Sequence, residues 1–297
     1  MDAITQWCGY LLFFLLPLAA AAQAPYPPLG KLVDVGGYRL HLYCTGEGNP
    51  TVVIVGGFSF DWALVQPEIA KLTRVCTYDT AGTAWSDDRP SMTCRDRVDE
   101  IHKLLKAAGI GGPYVLMGYS IGGLITRLYA NQYRDEVAGM VIVDHAFLAH
   151  ENNPPAAPPP PTGSDSPPVL ISSVPIVLDM QDDLNFSKLP ERSRDLHRWA
   201  LSVSPMRPTA ADAAECISEL ETNRPTPLGE MPLVVVSTTH HGDDYAKLQE
   251  KLLLLSHSSK QLMAENASHF VEIDRPEVIV SAIHQVMDAV RDHIRLN

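Results

Sequence analysis

Along the chain, short runs of β-branched and other apolar residues alternate with longer stretches whose apolar positions recur at helical spacing. The runs are Thr51 to Val55, Val75 to Tyr78, Tyr114 to Met117, Met140 to Val143, Leu233 to Val236 and Lys260 to Ala264. Between them lie the helical stretches Trp62 to Leu72, Thr93 to Ala108, Ile121 to Tyr133, Tyr245 to Leu255 and Pro276 to Arg291. Apolar strands separated by helix-length segments are the pattern of a mostly parallel sheet covered by helices on both faces. Upstream, Leu32 to Val35 and Tyr38 to Cys44 flank Gly36 and Gly37, a two-residue turn signal that predicts a β-hairpin. With the hairpin, the pattern predicts eight strands.

One interval breaks the alternation. Between Val143 and Pro232 comes a proline-rich stretch from Pro154 to Pro168, then helix-like pieces around Ser187 to Ser202 and Thr209 to Glu221. A structureless loop of that length inside a domain is unusual. Residues 149–230 are therefore expected to form an inserted cap on a stiff, extended arm, dividing the main domain into residues 25–148 and 231–297.

The first residues read differently. An apolar run from Gly9 through Ala22 ends in Ala22, Gln23 and Ala24, an A-x-A cleavage pattern, so residues 1–24 are expected to be a signal peptide. The folded part is then secreted or periplasmic, with no stable membrane insertion after cleavage. Because Asp2 is the only charge before Lys31, an uncleaved membrane anchor is the alternative.

Composition narrows the partners. Of 297 residues, 45% are hydrophobic and 20% charged, enough to bury a large core, and the net charge of -12 argues against a nucleic-acid surface. A small molecule, uncharged or mildly cationic, is the easier partner. Removal of the leader takes Cys8 and leaves Cys44, Cys76, Cys94 and Cys216, an even set in a compartment that permits disulfides. Their pairing is open, and buried free thiols are the alternative for Cys44 and Cys76. No Cys-x-x-Cys or clustered His and Cys spacing suggests zinc, and no cofactor is expected.

The chemistry centres on Gly118, Tyr119, Ser120, Ile121 and Gly122, a G-x-S-x-G segment directly after one predicted strand and directly before a helix. A tight turn there would hold Ser120 strained, with its hydroxyl presented outward. Side chains at Gly118 or Gly122 would collide with neighbouring elements at such a turn. In this context the chain resembles the α/β-hydrolase superfamily, and other segments share the likeness. Gly56, Gly57 and Phe58 resemble its oxyanion loop, Tyr78 and Asp79 with Gly82 and Ser86 the segment after its fourth strand, and Asn266, Ala267, Ser268 and His269 its histidine loop.

The resemblance implies an α/β-hydrolase fold with a Ser-His-Asp serine hydrolase site, esterase- or lipase-like. Serine is a poor nucleophile without a base, and position singles out His269, which follows the last predicted strand at the same sheet edge as Ser120. His41 and His102 fall within a strand and a helix and are expected to be structural. Two places suit the orienting acid. Asp144 ends the sixth strand and is preferred, and Asp243 or Asp244 follow the seventh. The oxyanion hole is expected from the backbone amides of Ile121 and Phe58.

Many members of the superfamily carry His at the place of Gly56, His at that of Tyr119 and Arg at that of Thr80, differences that bear on substrate preference rather than on the nucleophile. The implied reaction is cleavage of a small or medium carboxylic ester, with an amide as the alternative. A noncatalytic relative would lack a member of the serine, histidine and acid set, all of which are present. Hydrolysis and acyl transfer are not separable by motif. Two N-glycosylation sequons, at Asn185 and Asn266, are expected to go unused, the second because a glycan would crowd His269.

Overall fold

A computed structural model of the protein describes residues 26–89, 93–145, 184–203, 210–223, 227–239 and 243–296. The expected leader and the proline-rich arm lie outside these residues. At the amino end, β1 (Lys31–Asp34) and β2 (Arg39–Thr45) form the expected hairpin, with Asp34 opposite Arg39 and the Val35 amide bonded to the Tyr38 carbonyl at 3.0 Å. Gly36 and Gly37 both take positive φ, 94° and 106°, which the turn requires and which glycine adopts without a steric penalty.

The remaining strands are β3 (Thr51–Val55), β4 (Val75–Tyr78), β5 (Tyr114–Tyr119), β6 (Val137–Val143), β7 (Leu233–Thr238) and β8 (Ser259–Ala264). They assemble in the order β1-β2-β4-β3-β5-β6-β7-β8, in which every pairing is parallel except those made by β2. The helices are α1 (Gln66–Ile69), α2 (Cys94–Ala107), α3 (Ile121–Gln132), α4 (Glu191–Val203), α5 (Ala210–Asn223), α6 (Asp243–Lys251), α7 (Val271–Asp274) and α8 (Pro276–Asp292). This is the α/β-hydrolase architecture, an eight-stranded, mostly parallel sheet with helices on both faces.

Period-two alternation places each strand's side chains in two cores. Val52 and Ile54 join Met117, Val234 and Ile283 on the α1 and α8 side, while Val53 and Val55 join Leu116, Val235 and Leu104 on the other. Both faces are dry, which is why these strands read as continuous apolar runs. Burying one such side chain contributes about 1.5–3 kcal/mol.

Two differences from the expected elements have local causes. The helix expected over Trp62 to Leu72 is split into a 3-10 turn, Asp61–Leu64, and the short α1, because Pro67 brings no amide donor and fits only the first turn of a helix. β5 runs two residues further than expected, through Gly118 and Tyr119, because the ladder to β6 continues to Val143.

The four cysteines are paired. Cys44 and Cys76 sit opposite one another across β2 and β4 and form a disulfide, and Cys94 is bonded to Cys216. The second bond ties α5, which lies between β6 and β7 in sequence, to α2. Around it the Cys94 amide donates to Glu215 at 2.8 Å, and Arg97 meets Asp212 at 3.2 Å. α4, from the same insertion, docks elsewhere, with Trp199 packed on Trp85 at 5.1 Å and Leu196 buried beside them.

Candidate active site

Ser120 stands between the last residue of β5 and the first of α3. Its backbone is at φ 54°, ψ −122°, a conformation that costs a non-glycine residue about 1–3 kcal/mol and persists only where its surroundings enforce it. Here they do. The Ser120 amide donates to the Val143 carbonyl of β6 at 3.0 Å, and its carbonyl accepts from Gly123 at 3.0 Å. A Cβ at Gly122 would stand 2.0 Å from the Val55 carbonyl oxygen, and one at Gly118 2.5 Å from that of Gly122. The two flanking glycines are thus demanded by close approach of backbone.

His269 follows β8 on a loop that Asp274 braces, accepting from the Ser268 amide at 2.8 Å and the Ser268 hydroxyl at 2.6 Å. The His269 Nδ1 lies 2.5 Å from Asp144 Oδ2. Asp144 is fully buried at the end of β6, at φ 41°, and its Oδ1 accepts from the Thr238 hydroxyl at 3.0 Å. With the carboxylate accepting, Nδ1 carries the proton. Tyr119 joins the two halves of the site. Its ring packs 5.0 Å from that of His269, its hydroxyl donates to the His269 carbonyl at 3.1 Å, and the next residue in the chain is Ser120.

The acid meeting His269 is therefore Asp144. Asp243 and Asp244 open α6, and their side chains lie outside the described residues. His41 is buried within β2 and His102 pairs with Glu136 at 3.2 Å from within α2, as expected of structural residues.

The oxyanion expectation needs a correction. Ile121 is the first residue of α3, so its amide has no acceptor within the helix. The Phe58 amide, expected to join it, is instead committed to Asp61 Oδ2 at 2.8 Å. The cause is local: the 3-10 turn brings Asp61 back over the loop, its own amide donating to the Phe58 carbonyl at 3.0 Å. One amide hydrogen makes one strong bond, so the donor is occupied.

Three further residues, not singled out in the sequence, crowd the site. Asp61 pairs with His197 of α4, and Glu272 is buried three residues beyond His269. Burial pushes the Glu272 carboxyl well above the ordinary range, and the nearby charges of Asp61, Asp274 and Asp144 raise it further. Asp61 could have been suspected from its place just after the Gly-Gly-Phe loop. His197 had no local signal among 11 histidines. A cavity of about 420 Å³ opens between α4 and α1, walled by Phe60, Gln66, Arg192 and Leu196, and neither Ser120 nor His269 lines it.

A family model described as the alpha/beta hydrolase family matches residues 52–282, from the second residue of β3 through every later strand, and includes Ser120, Asp144 and His269. The chain belongs to the alpha/beta hydrolase family. Across 267 residues, 86% of this chain and 91% of the other, it is 27% identical to YqjL of Bacillus subtilis, a protein of uncharacterised function. The structure is similar to that of a thermophilic esterase from Thermogutta terrifontis, with a TM-score of 0.62 and 21% identity over 88% of this chain and 98% of that one. It is also similar to a meta-cleavage product hydrolase from Pseudomonas fluorescens, with a TM-score of 0.59 and 17% identity over 86% and 98% of the two chains. At such identities the likeness is one of fold, and the site of this hydrolase has to be read from its own residues.

Proposed function

We propose that this hydrolase cleaves a small or medium carboxylic ester through an acyl-enzyme on Ser120. The observation that carries the reading is the 2.5 Å contact of His269 Nδ1 with the buried Asp144, beside a serine held at φ 54° on a strand-to-helix turn. In this reading Nε2 of His269 takes the Ser120 proton as Oγ attacks the carbonyl carbon. Asp144 holds the ring in the required tautomer and favours the imidazolium. The Ile121 amide meets the oxygen on which charge develops. Collapse of the tetrahedral intermediate breaks the ester C–O bond, and His269 returns the proton to the departing alcohol. Water, deprotonated by the same nitrogen, then releases the acid and restores Ser120.

In this reading α4 is the part of the inserted segment that caps the site, whereas α5 packs into the main core against α2 and α3 and is stapled to α2 by Cys94–Cys216. Two disulfides suit an oxidising compartment, which supports export after removal of residues 1–24. The test is hydrolysis of 4-nitrophenyl acetate by the mature protein. A burst of nitrophenolate stoichiometric with enzyme is expected, together with an acetyl adduct on the Ser120 peptide in quenched samples. Nitrophenolate release with the adduct on another residue, undiminished in Ser120→Ala, would overturn the assignment.

A further inference from the structure

Asp61 and His197 lie 136 residues apart in sequence, one in the loop after β3 and the other on α4, yet His197 Nδ1 stands 2.8 Å from Asp61 Oδ1. Both side chains are buried, 8% exposed for Asp61 and 4% for His197. The second Asp61 oxygen accepts from the Phe58 amide at 2.8 Å, while Trp62 Nε1 donates to the Gly56 carbonyl at 3.0 Å. These bonds hold the bend that Gly57 makes at φ 69°. The His197 ring meets Phe58 edge-on at 5.3 Å and Phe186 at 5.1 Å, so aromatic rings exclude water around the pair.

The loop they hold abuts the Ser120 turn. A Cβ at Gly56 would stand 2.7 Å from the carbonyl oxygen of Tyr119, the residue before Ser120. Asp61 and Asp144 both act on the buried Glu272 carboxyl. A buried carboxylate is stable only when its oxygens are paired. Remove the His197 donor and one Asp61 oxygen is left dry and unpaired. The carboxylate must then turn toward water, and its hold on the Phe58 amide weakens.

We propose that Asp61 and His197 are a positioning pair through which α4 sets the Phe58 turn beside Ser120, so that turnover depends on a contact made by the inserted segment. The proposal rests on the reading of Ser120 as the nucleophile. Neither residue touches the reacting atoms. Their effect passes through the backbone of Gly56 to Phe58, the wall of the site on the β3 side.

Two substitutions separate positioning from packing. His197→Asn keeps an N–H donor near the place of Nδ1, whereas His197→Phe keeps a ring and removes the donor. The measurements are kcat and KM for 4-nitrophenyl acetate, fluorophosphonate labelling, and hydrogen exchange of the peptide covering residues 56–62, all on the full mature chain. In His197→Phe, kcat is expected to fall about 10- to 100-fold with KM little changed. Exchange in residues 56–62 speeds up, and His197→Asn recovers most of both. Equal kcat and exchange in the two variants, or a rise of kcat in His197→Phe, would overturn the pair while labelling still upholds the hydrolase. A folded wild-type protein that neither labels nor turns over ester defeats the hydrolase reading itself, and with it the claim on turnover.

Discussion

Among the described residues a histidine–aspartate contact with a serine nearby occurs at two places, and we assign the chemistry to one of them. In the first, His41 Nδ1 lies 2.7 Å from Asp79 Oδ2, and the Ser59 hydroxyl is 3.3 Å from the same nitrogen and 3.2 Å from the same carboxylate oxygen. The Gly30 amide donates to Nε2 at 2.9 Å, and neither His41 nor Asp79 has any exposed side-chain surface. In the second, the His269–Asp144 contact is of the same kind at 2.5 Å, but the His269 side chain is 15% exposed, on a loop at the carboxyl edge of the sheet. Residue types and carboxylate contact are shared. What differs is exposure, none for the His41 side chain and 15% for that of His269, and the serine. Ser59 lies against the acid side of its histidine, whereas Ser120 sits on a strained turn at the end of β5.

The contrast breaks most sharply at the two acids. Asp144→Asn is expected to lower ester turnover about ten-thousandfold, because the amide favours the wrong tautomer of His269, with comparatively little change in thermal stability. Asp79→Asn is expected to leave turnover per folded molecule near the wild-type value and to destabilise by about 3–5 kcal/mol, as loss of one member of a buried pair does. Urea denaturation alongside steady-state kinetics checks both. An Asp79→Asn protein of normal stability and abolished turnover would put the chemistry at the wrong pair.

A smaller effect concerns a buried acid that has no histidine. Glu100 of α2 takes the Ala81 amide on Oε1 at 3.3 Å, while Oε2 is buried without a hydrogen-bond partner among the described residues. Burial raises its pKa from 4.5 to about 7. Between those values the folded state binds more protons than the unfolded chain, so stability falls as pH rises through the interval. The loss from this group is complete above the folded pKa. Glu100→Gln removes the titration. Its stability relative to wild type is expected to be greater at pH 8 than at pH 4.5 by on the order of 3 kcal/mol. The same difference at both pH values would show that Glu100 is ionised in the fold throughout.

The sheet was legible where strands are buried on both faces. Thr51–Val55 and Val75–Tyr78 match the apolar runs residue for residue. Helix ends were legible where a cap marks them, as at Thr93, whose hydroxyl accepts from the Asp96 amide. Of the candidate site, the Ser120 turn was readable from two glycines with a strand before and a helix after. The choice between Asp144 and the Asp243–Asp244 pair was not, because all three follow strands at the same edge and only the fold says which carboxylate meets His269. The commitment of the Phe58 amide was hidden for another reason. A shorter loop would leave that donor open, whereas Asp61, three residues on, is at the right distance to fold back over it. His197 was beyond sequence reasoning altogether, since its partner is reached only once the inserted segment has docked.

The most direct measurement is fluorophosphonate labelling of the mature protein, comparing wild type with Ser120→Ala, His269→Ala and Ser59→Ala. Labelling is expected in wild type and in Ser59→Ala, and is expected to be absent from Ser120→Ala and His269→Ala, each shown to be folded by circular dichroism. Labelling that survives Ser120→Ala, or a folded wild-type protein that takes up no probe, would contradict the assignment of the chemistry to Ser120 and His269.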